Sequence, residues 1–428
     1  MNILDRTKSP KIKDYTDFEL VLPHSIPLQN GITVKQFDNN DLDLIHFQLK
    51  IKAGSCYEPK KNVAAFCYLL LKESAPQHDI YEVDEFLDYY GVNYSVSISI
   101  EYVTISIVIP KNNCLIALPY IFDFLLHPHF KETYLQLLQD RKIKDLAVNK
   151  EKVGYCASQL MLHQLFGNNC LVGKILEESD LRAITTADLQ QYYQQSFCAE
   201  NIRAFAAGNL SAEIVDCLRQ LCENIPHGQA NFLDVSSYTP HYQQEPIIDI
   251  HPDCMQSSFY ICQKSVAYND ERRRDFGILA TILGGYFGSR LMSNLRETNG
   301  YTYGISCGSL YYEKSSLFYI ESEVNVNVTR QALEECYKEM GLLTQEPVPE
   351  EELSIVKSYL AGQLLRKVDN TVSWMTQYST WDDFGLGDTE FKLQLQAIKE
   401  FNAEKGLTLA QQMLQRDQFF TIISGQIN

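Results

Sequence analysis

The chain has 428 residues, which is too long for one ordinary domain and predicts two or three. Hydrophobic residues make up 45% and aromatic residues 11%, so the sequence can bury a large core and is not of the disordered type. The net charge of −17 argues against nucleic acid as a target, because phosphates require a basic surface. A solvated acidic surface is the simplest interpretation, and binding of basic or neutral peptides is the other.

The first half of the chain begins its predicted elements at the turn Asn30-Gly31. Strands are predicted at 32–37 and 44–51, helices at 63–72 and 81–90, paired strands at 92–100 and 102–109, and a further helix at 113–126. His127-Pro-His-Phe130 breaks this helix, and a long helix follows from about residue 131.

The second half shows the same kinds of pattern. Strands are predicted at 247–251 and 257–262, helices at 271–283 and 289–298, paired strands at 301–311 and 316–324, and a helix at 329–343. Glu346-Pro-Val-Pro349 breaks the chain before a helix that begins at residue 350, where the acidic residues suit a helix N-terminus.

The order strand, strand, helix, helix, strand, strand, helix, break, helix therefore occurs twice. This order lacks regular βαβ alternation, so it predicts an α+β protein of two homologous domains, each an antiparallel sheet covered by helices. We predict a first domain over 1–228, a linker over 229–245 and a second domain over 246–428. Trp374 and Trp381 are predicted to pack in the second domain.

Twelve scattered cysteines, most of them in apolar runs and none in a Cys-x-x-Cys pair, predict reduced core thiols. The first residues lack the apolar segment of a secretory signal, and no apolar run approaches the ~18 residues that would suggest a membrane span. We therefore expect a soluble, cytoplasmic protein with no membrane or nucleic-acid partner.

The most informative motif lies in the second half, at Leu295-Arg-Glu-Thr-Asn-Gly-Tyr-Thr-Tyr303, after Gly284-Gly-Tyr-Phe-Gly-Ser-Arg-Leu291. It resembles the signature of the second domain of the insulinase-like (M16) zinc peptidases, whose fold is the LuxS/M16 metallopeptidase-like one. The resemblance implies that Arg296 and Tyr303 hold a peptide backbone near a metal. The alternative is structural: Arg296 caps helix carbonyls and Tyr303 packs in the core.

In that family the first domain carries His-x-x-Glu-His on a helix that follows Gly-Ser-x-x-Glu, so that two histidines bind zinc and the glutamate acts as general base. Here Gly54-Ser-Cys-Tyr-Glu58 sets the register, and Ala65, Tyr68 and Leu69 stand at the positions of the first histidine, the glutamate and the second histidine. None of the three can replace the family's residue at neutral pH.

Other metal ligands are scarce. The segment 141–148, where the family's distal glutamate is expected, offers only Asp145. His127, His129 and His163 are alternative ligands without an evident carboxylate partner, so we predict no metal in this chain.

The resemblance implies a non-catalytic, substrate-holding subunit of a heteromeric M16-type peptidase. A partner subunit with His-x-x-Glu-His would supply the zinc, and the pair would enclose a chamber for unfolded peptides. Alternatives are a structural core subunit without proteolytic role, a stand-alone peptide-binding protein, also as a homodimer, and a peptidase with a new metal site.

Overall fold

A computed structural model describes residue 7 and residues 20–39, 41–76, 78–167, 170–231 and 245–427. Most of the predicted linker, 229–245, lies outside these ranges. Within them, no helix combines the length and the apolar character that crossing a membrane requires.

The described residues of the first half form six strands and eight α-helices. The strands are β1 (His24–Pro27), β2 (Thr33–Asp38), β3 (Leu44–Ile51), β4 (Asn93–Ile98), β5 (Val103–Pro110) and β6 (Ile202–Gly208). The helices are α1 (Val63–Leu69), α2 (Ile80–Tyr89), α3 (Cys114–Leu126), α4 (Glu132–Lys150), α5 (Val153–Phe166), α6 (Glu178–Arg182), α7 (Thr186–Ser196) and α8 (Ala212–Glu223).

In the second half, the residues that the structure describes form five strands and six α-helices. The strands are β7 (Ile247–Ile250), β8 (Gln256–Lys264), β9 (Thr302–Tyr311), β10 (Ser316–Asn325) and β11 (Phe420–Gly425). The helices are α9 (Arg272–Ala280), α10 (Thr329–Gln345), α11 (Glu350–Arg366), α12 (Thr371–Asp382), α13 (Glu390–Glu400) and α14 (Ala403–Met413), and Thr281–Gly285 and Met292–Thr298 are π-helical.

Two sheets with the same topology make up the centre of the molecule. The first has the strand order β1-β2-β6-β3-β5-β4 and the second the order β7-β11-β8-β10-β9. Without β1, the two orders match strand for strand, from β2 with β7 at one end to β4 with β9 at the other. The α+β prediction is confirmed, with one difference in detail. Each sheet contains one parallel pair, β2 with β6 and β7 with β11, because the last strand of each half returns to the middle of its sheet.

Each sheet buries both of its faces, as strand β8 illustrates. Phe259 and Ile261 point into the core that the second half's own helices cover. Tyr260 and Cys262 alternate with them and point to the opposite face, as the two-residue period of a strand requires.

The opposite face of the second sheet is covered by helix α5 of the first half. Ala157, Met161 and Leu165 of α5 form one buried cluster with Tyr260 and Phe420 of the second sheet. A helix of one half thus completes the core of the other.

Helix α12 of the second half covers the first sheet in the same way. The ring of Trp374 lies 5.9 Å from that of Phe37 in β2, and the ring of Tyr378 lies 6.4 Å from that of Phe205 in β6. The prediction that Trp374 packs within the second domain is therefore wrong in part, because this helix crosses to the other sheet. The second face of each sheet is therefore covered by a helix of the other half.

Ion pairs accompany this exchange of helices. Lys50 Nζ of β3 lies 2.6 Å from Asp383 Oδ2, just after α12, and both side chains are about nine-tenths buried. Arg203 of β6 binds Asp382 and Asp383 at 2.9 and 2.5 Å. The exchange therefore places charged partners, as well as apolar ones, between the halves.

Candidate functional site

The turn before α1 is built for close packing. A Cβ at Gly54 would lie 2.3 Å from the carbonyl oxygen of Ile100, so only glycine fits this approach. Asn62 precedes α1 in the left-handed conformation, with φ 71°, and does not cap the helix with its side chain. Glu58 takes that role, since its Oε2 accepts a hydrogen bond from the Ala64 backbone N–H at 3.2 Å.

Ala65 and Leu69 lie one helical turn apart and line one cavity of about 480 Å³. The cavity is also lined by Lys142 of α4 and Tyr155 of α5. This is the geometry in which two histidines would bind one ion, but a methyl and an isobutyl group offer no lone pair. The ammonium group of Lys142 is also unsuited to a cation site.

Tyr68 does not face this cavity. It is fully buried in the core of the first half, where its hydroxyl lies 2.8 Å from Ser196 Oγ and its ring packs edge-on against Tyr192. Burial raises the pKa of the Tyr68 phenol well above its ordinary value. A base at this position would have no access to the cavity beside Ala65.

The remaining predicted ligands are not gathered at one place. Asp145 is exposed on α4 and does not line the cavity at Ala65. His163 Nδ1 lies 2.8 Å from the Gly173 carbonyl oxygen. In the described part of the chain, the one group of three metal-type side chains comprises other residues, and it includes neither His127 nor His129.

Glu58 gives the stability of the protein a pH dependence. It is about 6% exposed, its Oε1 has no hydrogen-bond partner among the described residues, and burial raises its pKa from 4.5 to about 7. The folded state therefore binds more protons than the unfolded state between these values, so stability falls as pH rises from about 4.5 to 7.

We expect Glu58→Gln, which keeps the group neutral, to show a smaller loss of stability between pH 5 and pH 8 than the wild type. Urea denaturation at both pH values measures this difference. Burial raises the pKa of Glu101 to about 7 as well, so the variant retains part of the decline. An equal loss in variant and wild type would contradict the role of Glu58.

Rebuilding the zinc motif on α1 is expected to fail. In Ala65→His, Tyr68→Glu, Leu69→His the new carboxylate would replace a fully buried phenol and lie in the apolar core, away from the two imidazoles. We expect lower stability and no peptidase activity, measured by thermal denaturation and peptide hydrolysis with added zinc. The double variant Ala65→His, Leu69→His is the control, because both of these side chains face the cavity and Tyr68 stays in the core. Peptide hydrolysis by the triple variant would show that residue 68 can reach the cavity.

Arg296 lies on the π-helical segment Met292–Thr298 and is exposed. Its guanidinium lies 4.8 Å above the ring of Phe287, which is itself 62% exposed. Gly300, with φ 66°, then turns the chain from this segment into β9. Arg296 donates no hydrogen bond to a helix carbonyl among the described residues, so the alternative in which it caps a helix has no support.

Tyr303 is 89% exposed and lies in a β-bulge of β9, where the register against β10 shifts between Ser322 and Val324. The bulge is held by hydroxyl groups: Ser322 Oγ donates to the Gly304 carbonyl at 2.8 Å, and Thr302 Oγ1 accepts from the Gly304 N–H at 3.1 Å. Bulges redirect side chains. The core-packing alternative for Tyr303 is therefore wrong.

Tyr303 lines a second cavity, of about 720 Å³, between the second sheet and the start of α5. Gly154, at the start of α5, lies against the Glu323 side chain of this sheet. Tyr155 lines both this cavity and the one at Ala65, so the two cavities adjoin across α5. No local pattern points to Tyr155, because its position depends on the helix that crosses to the other half. Arg296 does not line this cavity, and among the described residues its cation–π partner is Phe287 and not Tyr303.

Comparison with known proteins bears on this arrangement. Residues 183–360 match the family described as Peptidase M16 inactive domain. Over this segment the chain is similar to the M16 peptidase family. It is 23% identical over 403 residues to the uncharacterized zinc protease YmxG of Bacillus subtilis, covering 92% of this chain and 97% of that protein. It is 20% identical over 350 residues to the non-peptidase homolog YmxG of Helicobacter pylori, covering 80% and 79%.

The fold is that of solved M16 proteins. The crystal structure of a peptidase M16 inactive domain from Pseudomonas fluorescens superposes with a TM-score of 0.87 at 19% identity, covering 95% of this chain and 98% of that one. At this identity the likeness concerns the fold. The match to an inactive M16 domain supports a non-catalytic M16-like protein.

Proposed function

We propose that this chain is the substrate-holding subunit of a heteromeric M16-type zinc peptidase. A partner subunit with His-x-x-Glu-His supplies the zinc and the general base, and this chain supplies Arg296 and Tyr303. The reaction is hydrolysis of a peptide bond in an unfolded peptide.

The observation that carries the proposal is the contrast between the two halves. In the first, the two cavity-lining positions on α1 are Ala65 and Leu69, which removes the metal chemistry. In the second, Tyr303 is 89% exposed on a bulge held by two hydroxyl groups. An exposed tyrosine in such a rigid setting contributes little to stability, so a role in binding accounts for it better than a role in packing.

Strand β9 gives a peptide a place to bind. It is the last strand of the order β7-β11-β8-β10-β9, so its outer edge is free of a strand neighbour among the described residues. An extended peptide can pair with such an edge through backbone hydrogen bonds. A phenol and a guanidinium beside it are donors suited to peptide carbonyls and to the oxyanion that forms during hydrolysis.

The proposal includes a reducing, cytoplasmic compartment. All twelve cysteines are free thiols, and most of them are buried, as expected of a protein that does not depend on disulfides.

Reconstitution tests the proposed function. The purified chain is mixed with an M16 protein of similar length that carries His-x-x-Glu-His, and assembly is measured by light scattering and turnover with an unfolded peptide. We expect neither protein alone to cleave efficiently and the pair to do so, with activity lost when the partner's motif is mutated. A partner that is fully active alone and unaffected by this chain would contradict the proposal. A pair that assembles without any peptidase activity would favour the structural-subunit alternative.

A further inference from the structure

Three metal-type side chains from different halves of the chain come together beside α5. Cys156 lies on α5, Asp249 on β7 and His251 directly after β7, and one ligand atom of each lies within 4.8 Å of the others. All three residues are partly buried. Since α5 reaches this place only through the exchange of helices, the sequence could not predict the cluster.

Hydrogen bonds hold Asp249 and His251 toward each other and give Cys156 a backbone partner. His251 Nε2 lies 2.8 Å from Asp249 Oδ2. Ser424 of the neighbouring strand β11 donates from Oγ to the same carboxylate oxygen at 3.2 Å. The Cys156 thiol donates to the Lys150 carbonyl oxygen at 3.3 Å.

We propose that Cys156, Asp249 and His251 form a binding site for a divalent transition-metal ion of the zinc class, which joins the two halves of the chain. The site shares no residue with the cavity at Ala65 and Leu69, so metal binding here can be tested independently of the proposed peptidase role.

The set of donors selects the class of ion. A thiolate, an imidazole and a carboxylate are the three ligand types that zinc takes in proteins, whereas calcium and magnesium prefer oxygen ligands alone. Three protein ligands leave a fourth position of a tetrahedral site for water or for an incoming group. The hydrogen bond from Ser424 is the kind of outer contact that orients a ligating carboxylate.

A metal at this place would fix helix α5 to β7, the edge strand of the second sheet. Tyr155, the residue before Cys156, lines both cavities of the candidate site. Metal binding would therefore stabilise the arrangement of the halves around these cavities, rather than supply the peptidase reaction.

Cobalt binding to the full-length chain tests the site. The chain is stripped with a chelator under reducing conditions and titrated with Co²⁺, whose thiolate charge-transfer and visible absorption bands report a cysteine ligand in a four-coordinate site. We expect one Co²⁺ per chain, displaced by Zn²⁺, and a higher melting temperature with either metal.

Variants locate the ion. Cys156→Ser is expected to abolish the charge-transfer band. His251→Gln and Asp249→Asn each remove a metal ligand, so we expect them to weaken Co²⁺ binding by more than the roughly 10–100-fold that is lost when a residue hydrogen-bonded to a ligand is removed. Cys217→Ser, at another partly buried free thiol on α8, is the matched control and should bind like the wild type. A chain that gives no charge-transfer band, or a Cys156→Ser variant that keeps it, would overturn the proposal.

Discussion

Replacing Arg296 by alanine, or Tyr303 by phenylalanine, is expected to lower peptide turnover by the reconstituted pair about 10²–10³-fold, the usual cost of losing one donor to a developing oxyanion. Both side chains are exposed, so we expect folding and assembly to be retained, with stability changed by less than about 0.5 kcal/mol. Turnover of an unfolded peptide is the measurement, with assembly checked separately by size.

Matched variants separate this effect from general damage. Arg330→Ala removes another exposed arginine, on α10, and Tyr81→Phe removes the hydroxyl of a tyrosine that is 81% exposed in the first half. We expect both to be as active as the wild type. Arg296→Lys should be impaired, because an ammonium group lacks the planar fork of a guanidinium. Full turnover in both Arg296→Ala and Tyr303→Phe would favour a structural subunit, and loss of assembly would make these residues part of the subunit interface.

Asp383→Asn is expected to lower the free energy of unfolding by about 3 kcal/mol, at the lower end of the 3–5 kcal/mol for breaking a buried ion pair. Asp383 binds both Lys50 and Arg203, and its loss leaves the Lys50 ammonium buried without its carboxylate partner. Asp382 continues to bind Arg203 at 2.9 Å, which limits the damage. Urea denaturation followed by far-ultraviolet circular dichroism measures the change.

The control for this variant is Asp253→Asn, which removes the charge of an exposed aspartate in the loop before β8. We expect it to unfold at the wild-type urea concentration. If Asp383→Asn also unfolded at the wild-type urea concentration, the ion pairs would contribute little, and apolar contacts would supply most of the stability between α12 and the first sheet.

Elements whose bounds depend on local hydrophobic alternation are predicted well from the sequence. Strand β3 begins at Leu44 and ends at Ile51, as predicted, because its alternation of core residues is uninterrupted. Helix α1 begins at Val63, as predicted, but ends at Leu69 and not at residue 72. Alignment with the family's motif does not show which side chains face a cavity, so it could not predict that Tyr68 is buried in the core. The strands β6 and β11 were missed, because each follows a long run of helices and is recognisable only from its place in a sheet.

Contacts between the halves were beyond the reach of local patterns. Cys156 has no recognisable local signature, and the pattern around Asp249 and His251 predicts only a strand. Lys50 alternates with buried apolar residues in β3, where the pattern predicts a half-exposed face, yet α12 covers it. The exposure of Tyr303 depends likewise on a register shift in β9, which follows from hydrogen bonds between two strands.

The exchange of α5 and α12 has a consequence for synthesis on the ribosome. When the first half has emerged, α5 has no sheet to cover, and Phe37 and Phe205 face water until α12 arrives. The second sheet is completed later still, because β11 is the last element to be synthesised and lies between β7 and β8. Neither half can complete its burial during translation without the other. We therefore expect separately expressed halves to aggregate, and nascent chains to require protection by chaperones until β11 is made.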